Sequence, residues 1–276
     1  GRKDMKEEIV MDVSDLCIGY GEKTVVEDLS FSLRRGEILC LAGESGCGKS
    51  TVLKALLSSG DVKLTDGEIR LFGTELRELK ERERHAFCTD RIGMIFQNPG
   101  ASFNPIRTYR KQFIETLKSH GKYQRTAFLE QAQEAFEKVG LKDAERLLEL
   151  CPYAMSGGMN QRMAFALAML LGQEILLGDE PTSALDAMTA LQVAQELKKL
   201  RDINGITQVI VTHNLAMAGF LADRIGIMYQ GHLVELDKAD LVLHHPKHPY
   251  TKSLIAAVPR LGGNLPAAKE GIRDDS

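Results

Sequence analysis

The sequence has few cysteines, no long apolar run and no excess of positive charge. Its five cysteines form no Cys-X-X-Cys pair, so we expect reduced thiols rather than a disulfide framework. No apolar run approaches the roughly 20 residues that a membrane-spanning helix needs, and no charged-then-apolar leader opens the chain. Acidic and basic residues are interspersed, with a formal net charge of -3, so no nucleic-acid-binding stripe is visible. These absences predict a cytosolic protein that does not bind nucleic acid.

The central feature is a phosphate-binding pattern, G-X-X-X-X-G-K-[ST], between a predicted strand over 37–42 and a predicted helix over 49–57. Its glycines let backbone N–H groups face inward, and the helix N-terminus favours an anion there. A helix terminus contributes only about 0.3–1 kcal/mol to an exposed anion, so Lys49 and a metal on Ser50 must supply most of the phosphate affinity. The predicted ATP-binding residues of this loop are Gly43, Glu44, Ser45, Gly46, Cys47, Gly48, Lys49, Ser50 and Thr51.

Polar side chains follow two other predicted buried strands. Asp179 and Glu180 follow the strand 174–178, and His213 follows the strand 207–211. The carboxyl ends of strands are where open α/β sheets bind ligands. Adjacent carboxylates are costly to bury unless a positive group meets them, and Mg-ATP would supply that charge. We therefore expect Asp179 to approach the magnesium through a water and Glu180 to polarise the attacking water.

Two further positions are compatible with nucleotide contact. Tyr20 stands on a turn between glycines, where its ring either faces a flat ligand or packs the turn, and position alone leaves both alternatives open. Ser156 is a natural cap for a helix predicted to run to about residue 171. The exposed N–H groups of Gly157, Gly158 and Met159 at that helix start form a second possible phosphate cradle.

The rest of the pattern predicts an α/β protein with a helical insertion. Strands are expected over 9–18, 25–33, 67–72, 91–96, 224–229 and 232–236, and a charged surface helix over 76–85. Helical periodicity without a strand covers 108–120, 123–139 and 143–150, and helical patterns recur over 188–201 and, weakly, 241–258. His244, His245 and His248 do not predict a metal site because prolines interrupt the segment. Residues 262–276 are polar and predicted to be disordered.

With these residues in hand, the chain resembles the ATP-binding subunit of ATP-binding-cassette (ABC) transporters over nearly its whole length. Residues 43–51 are similar to the Walker A loop, Gln97 to the Q-loop glutamine, and Ser156 to Met159 to the signature. Residues 175–180 resemble the Walker B strand, His213 the switch histidine and Tyr20 the adenine-stacking aromatic. The D-loop would comprise Ser183, Ala184, Leu185 and Asp186. Residues 96–105, 156–162 and 248–251 are similar to the peptide and nickel importer branch.

The resemblance implies a P-loop ATPase core with a mainly parallel sheet, an antiparallel β subdomain and an inserted helical subdomain. The expected boundaries are 1–97 for the β subdomain and first core part, 98–172 for the helical subdomain, 173–245 for the second core part, and 246–276 for a C-terminal segment. It also implies catalysis by Glu180, His213 and Gln97, and Mg²⁺ held by Ser50, Gln97 and Asp179.

The same resemblance implies an ATP hydrolase that works as a dimer on the cytoplasmic face of the membrane. Each ATP would be closed between Walker A of one subunit and the signature of a second subunit, which is either the same chain or a paralogue. The further implied partners are two transmembrane permease subunits and an external solute-binding protein. The loop after Gln97, including Phe103 and Asn104, is expected to couple ATP to the permease.

Three departures and one alternative remain. Met159 replaces a common glutamine, Gly178 a bulkier apolar residue, and Asn214 a common aspartate; none of them removes a catalytic group. No cysteine follows Cys151, so no iron-sulfur cluster is expected, and the missing cysteine cluster weakly favours nickel or metal-chelate import over peptide import. The alternative is a cytosolic ABC-type ATPase that clamps ribosomes or DNA. The single cassette, the lack of a basic face and the importer-like loop after Gln97 argue against it.

Overall fold

Two β-sheets organise the protein, and the computed structural model describes residues 8–58, 62–95, 102–183 and 185–257. The strands are β1 (Ile9–Tyr20), β2 (Lys23–Arg34), β3 (Ile38–Ala42), β4 (Val62–Leu71), β5 (Thr74–Glu75), β6 (Ile92–Ile95), β7 (Ile175–Asp179), β8 (Thr207–Thr212), β9 (Arg224–Tyr229) and β10 (His232–Lys238). The helices are α1 (Lys49–Leu56), α2 (Glu81–Thr89), α3 (Tyr109–Ser119), α4 (Phe128–Lys138), α5 (Ala144–Leu148), α6 (Gly157–Leu170), α7 (Ala187–Asn204), α8 (Leu215–Leu221), α9 (Ala239–His244) and α10 (Pro249–Ala256). Short 3-10 turns cover Leu76–Glu78 and Pro152–Ala154.

The first sheet is antiparallel and has the strand order β2-β1-β4-β5. The second sheet has six strands in the order β10-β9-β3-β8-β7-β6. Its neighbours from β9 to β6 are parallel, and β10 is an antiparallel edge strand. This mixed α/β architecture confirms the predicted fold class.

Strand β3 is an inner strand of the six-stranded sheet, between β9 and β8, and all five of its residues are buried. Successive side chains of a strand point to opposite faces. Accordingly Cys40 and Ala42 belong to a hydrophobic core shared with the helices, whereas Leu39 and Leu41 belong to a second core shared with the antiparallel sheet. A strand buried on both faces has a continuous apolar sequence, which explains the unbroken apolar run.

The helical part of the chain has an aromatic centre. Phe103 is only 6% exposed and lies 5.0 Å from Tyr109 and 6.2 Å from Phe113 between ring centroids. Phe136 of α4 packs against Phe113, with ring centroids 6.0 Å apart. Phe103 is therefore a core residue of this part of the chain.

Three local predictions differ from the structure. The helix expected over 76–85 is a 3-10 turn followed by α2, because extended Lys80 starts a new helix and donates its N–H to the Glu83 carboxylate at 3.3 Å. Strand β4 begins at Val62 and not at residue 67. Helix α8 was not predicted; Asn214 caps it by accepting the Met217 N–H at 3.0 Å.

Within the described ranges, no helix combines the length and the apolarity needed to cross a bilayer.

Candidate functional site

The phosphate-loop pattern connects the buried end of β3 to the start of α1, and two of its glycines are required by space. Gly48 has a φ of 103°, and a Cβ there would lie 2.7 Å from the Val26 Cγ2 atom. A Cβ on Gly43 would lie 2.2 Å from the Met228 carbonyl oxygen on β9. Only glycine fits at both positions, because backbone and packed side chains occupy the space of any Cβ.

Lys49 is held inside this loop. Lys49 is only 5% exposed, and its Nζ donates to the carbonyl oxygens of Gly43 and Glu44 at 2.8 and 2.7 Å. The Cys47 Sγ lies 3.7 Å from the same Nζ. A full positive charge is thus fixed beside the inward-facing loop backbone, which favours a polyanion.

The loop surrounds a cavity of about 250 Å³. Its lining residues are Val25, Ser45, Gly46, Gly48, Lys49, Ser50, Thr51 and Glu180. The Ser50 hydroxyl donates to the Asp179 Oδ1 at 2.9 Å at this edge of the sheet. Both atoms are hard oxygen ligands of the kind that Mg²⁺ prefers, so the two side chains fit a magnesium ion.

Glu180 and His213 meet at the carboxyl edge of the sheet. The register pairs Asp179 of β7 with Val211 of β8, so the residues that follow the two strands are neighbours. The Glu180 N–H donates to the Val211 carbonyl at 3.0 Å, and Glu180 has a left-handed φ of 48°. Its Oε2 lies 2.9 Å from the His213 Nδ1. The carboxylate therefore has a fixed partner and borders the cavity.

Tyr20 lies beside the same loop. It is the last residue of β1, and its hydroxyl is 3.4 Å from the Thr51 Oγ1. The Lys54 ammonium lies over the ring, 5.8 Å from its centroid. The structure thus brings an aromatic ring to the loop from the antiparallel sheet.

The signature residues lie elsewhere. Ser156 caps α6 by accepting the Met159 N–H at 3.3 Å. Ser156, Gly157 and Gly158 are exposed and Met159 is half-buried, and none of them lines the phosphate-loop cavity. The start of α6 is open to an external group.

The segment after Glu180 is fixed by two sets of hydrogen bonds. Ser183 donates both its N–H and its hydroxyl to the Glu180 carbonyl at 3.1 Å. Asp186 caps α7 by accepting the backbone N–H groups of Met188 and Thr189, each at 3.1 Å. The Thr189 hydroxyl also donates to the Asp186 carboxylate at 2.6 Å, and this hydrogen bond lowers the pKa of Asp186. Leu185 is half-buried between these anchors. Predicted site residues Gln97 and Ala184 lie outside the described residues.

Sequence reasoning missed two groups that shape the site. Val25 lines the cavity, and the Met228 carbonyl abuts Gly43. Both come from strands that are distant in sequence and carry ordinary apolar residues. Their only signal is the strand pattern itself, which does not reveal what the strand will face.

The fold and the site define a P-loop ATPase cassette. A family model described as ABC transporter matches residues 26–183, and the chain belongs to that family. A second model, described as oligopeptide/dipeptide transporter, C-terminal region, matches residues 234–274.

Curated relatives support the same class. The chain is 37% identical over 92% of its length to a probable peptide ABC transporter ATP-binding protein of Sinorhizobium fredii, covering 78% of that protein. It is 34% identical over 93% of its length to the dipeptide transport ATP-binding protein DppD of Bacillus subtilis, covering 79% of it. The glutathione import ATP-binding protein GsiA of Escherichia coli is 35% identical over 92% of this chain and 42% of its own length.

Solved structures agree with the fold. The cassette MJ0796, in a dimeric post-hydrolysis state bound to ADP and Pi, aligns with a TM-score of 0.67 and 28% identity over 83% of this chain and 98% of that one. The cbiO1 protein of Clostridium perfringens aligns with a TM-score of 0.76 over 93% of this chain and 98% of its own, at 21% identity. The protein is thus the ATP-binding subunit of an ABC importer and hydrolyses ATP in a reaction coupled to transport.

Proposed function

We propose that this subunit powers the import of a peptide-class solute. The carrying observation is the match of residues 234–274 to the C-terminal region of oligopeptide and dipeptide transporters. The relatives described above are named for peptides, dipeptides and glutathione, which is itself a small peptide. This evidence outweighs the weak preference for nickel or metal-chelate solutes that the missing cysteine cluster suggested.

In the proposed reaction, Glu180 orients and deprotonates the attacking water, and His213 holds the Glu180 carboxylate through the 2.9 Å contact. Lys49 and the loop amides bind the phosphates. Ser50 and Asp179, with Gln97, would hold Mg²⁺, whose bound charge neutralises the phosphate oxygens. Tyr20 would stack on the adenine.

The proposed dimer uses the exposed start of α6. The N–H groups at a helix N-terminus favour anions, and the residues at this helix start do not line the chain's own phosphate-loop cavity. We infer that Ser156 to Met159 contact the ATP of a second subunit, with the Ser183 to Asp186 segment beside it. The chain carries both half-sites, so a second copy and a paralogue are both suitable partners.

A pair of exposed apolar side chains supports docking to a permease. Ile106 is 78% exposed and Tyr153 is 75% exposed. They are neighbours, because the Tyr153 N–H donates to the Pro105 carbonyl at 3.3 Å. The Asn104 Oδ1 accepts the Ile106 N–H at 3.1 Å and fixes this loop. We propose that the pair contacts a transmembrane permease at the cytoplasmic face, while an external binding protein delivers the solute.

The docking proposal is tested by co-purification from membranes. Ile106→Asp combined with Tyr153→Asp should abolish recovery of the permease subunits while the isolated subunit keeps its ATPase rate. Ile203→Asp is the control, because Ile203 on α7 is also exposed, at 68%, and outside the pair. Wild-type recovery of the permease by the double variant would contradict the docking site. Recovery of ribosomes or DNA in place of a permease would support the clamp alternative.

The solute is tested separately by uptake into cells that lack this subunit. Restoring the gene should restore uptake of labelled dipeptides and tripeptides, and Glu180→Gln should not. Uptake of nickel without uptake of any peptide would overturn the peptide assignment.

A further inference from the structure

The C-terminal segment that follows the parallel sheet is fixed to the sheet by one carboxylate. Glu235 of β10 accepts the N–H groups of Lys247 and His248, each at 2.9 Å, through its two oxygens. Burial opposes ionisation of Glu235, yet these two amides hold its pKa below the usual value. The Lys247 ammonium adds an ion pair with Asp237 at 2.8 Å. The start of α10 therefore has a defined position on the β9–β10 hairpin.

This anchorage places Tyr250, in the first turn of α10, on Tyr229 at the end of β9. The two rings are stacked, with centroids 4.0 Å apart and an interplanar angle of 29°. The His248 Nδ1 accepts the Tyr250 N–H at 3.2 Å and holds the turn. Tyr229 directly follows Met228, whose carbonyl oxygen lies against Gly43. The stacked rings thus lie next to the β9 residue that contacts the phosphate loop.

The Tyr250 hydroxyl is buried within reach of Glu44 in the phosphate loop. Its oxygen is inaccessible to solvent and makes no regular hydrogen bond to a residue in the described part of the chain. Burial raises the pKa of Tyr250, and the backbone amide of Glu44 is the group that counteracts the rise. The Glu44 carboxylate and the Cys47 thiol are also close enough to act on it. A buried hydroxyl without a regular hydrogen bond is unfavourable, and closing on a nearby peptide relieves that cost.

We propose that Tyr250 is a positioning residue for the phosphate loop: its hydroxyl supports the Glu44 peptide when nucleotide binds. The Glu44 carbonyl oxygen also accepts a hydrogen bond from the Lys49 Nζ at 2.7 Å. A contact that fixes the Glu44 backbone therefore also fixes the orientation of the ammonium that binds the phosphates. The C-terminal segment would then strengthen ATP binding by supporting the phosphate loop, whatever solute is transported.

The test is Tyr250→Phe, which removes the hydroxyl and keeps the stacked ring. Titration with a fluorescent ATP analogue should show a Kd raised about 2- to 10-fold, the range that one net hydrogen bond provides. The melting temperature without nucleotide should stay the same or rise, because an unsatisfied buried hydroxyl has been removed. The rate at saturating ATP should stay within about twofold, because the hydroxyl touches the loop and not the reacting atoms.

Tyr123→Phe is the matched control, since that ring packs on Phe128 in the helical part of the chain and should change neither quantity. Glu235→Gln should also raise the Kd, because one of the two accepting oxygens becomes an NH2 group, which cannot accept a backbone N–H. Combined with Tyr250→Phe its effect should be less than additive, as expected when both act through α10. An unchanged Kd for Tyr250→Phe would overturn the proposal. A higher Kd accompanied by a lower melting temperature would also overturn it, because that pair of results indicates general destabilisation.

Discussion

Replacing Glu180 by glutamine should separate ATP binding from ATP hydrolysis. A general base contributes typically 10²–10⁴-fold, which is about 3–5 kcal/mol of barrier. Glutamine keeps the length of the side chain and an oxygen that can face the His213 Nδ1, 2.9 Å from the present carboxylate. Because glutamine can keep this hydrogen bond to His213, the free energy of unfolding should change little. The Lys49 contacts that shape the loop are untouched.

The assay is single-turnover ATP hydrolysis together with gel filtration in ATP, run with and without a paralogous partner. Glu180→Gln should accumulate as a dimer that retains unhydrolysed ATP. Glu174→Gln is the control, because it makes the same chemical change just before β7, at a residue that does not line the cavity. The Glu174 carboxylate forms an ion pair with the Arg35 guanidinium at 2.6 Å. Lys49→Ala should lose binding itself, and Ser156→Arg should bind ATP as a monomer without closing. Hydrolysis by Glu180→Gln at the wild-type rate with the partner present would refute the assignment of the base.

Three further predictions concern single positions. Tyr20→Ala should weaken ATP binding roughly 5- to 150-fold in equilibrium titration, because stacking of a base on an aromatic ring contributes about 1–3 kcal/mol; unchanged affinity would exclude stacking. Alkylation of Cys47 should inhibit the ATPase, ATP should protect, and Cys47→Ser should remove the sensitivity; inhibition that persists in that variant would place the reactive thiol elsewhere. Gly178→Ala should destabilise the protein by about 1–3 kcal/mol in chemical denaturation, the usual cost of overpacking, because the new Cβ would lie 2.6 Å from the Ile210 Cδ1; unchanged stability would show that Ile210 moves freely.

The parts of the site that could be predicted are those encoded within a short stretch or by a strand end. The phosphate loop carries its own strand, glycines, lysine and helix start in consecutive residues. Glu180 and His213 are 33 positions apart, yet both follow buried strands, and strand ends of a parallel sheet share one edge. Their proximity was therefore predictable, whereas the 2.9 Å contact depends on the left-handed φ of Glu180, which the sequence does not signal.

The parts that could not be predicted depend on how separate elements meet. Tyr250 reaches Tyr229 only because Glu235 fixes the start of α10, and none of these residues is unusual in its own segment. Phe103 was expected to couple ATP to the permease, and the loop pattern gave no information on its burial. The structure buries Phe103, whereas Ile106, three residues later, is 78% exposed.

The position of β3 has a consequence for how the protein unfolds. Its alternate residues belong to two different cores, so neither the antiparallel sheet nor the helices can lose their packing without disturbing the same strand. Melting of the two regions should consequently be a single cooperative transition. A ligand held at the end of this strand stabilises both regions at once, by about 2.7 kcal/mol at a free concentration one hundred times its Kd. Cellular ATP would in this way act as a folding ligand for the whole subunit, including the half of the chain that never touches it.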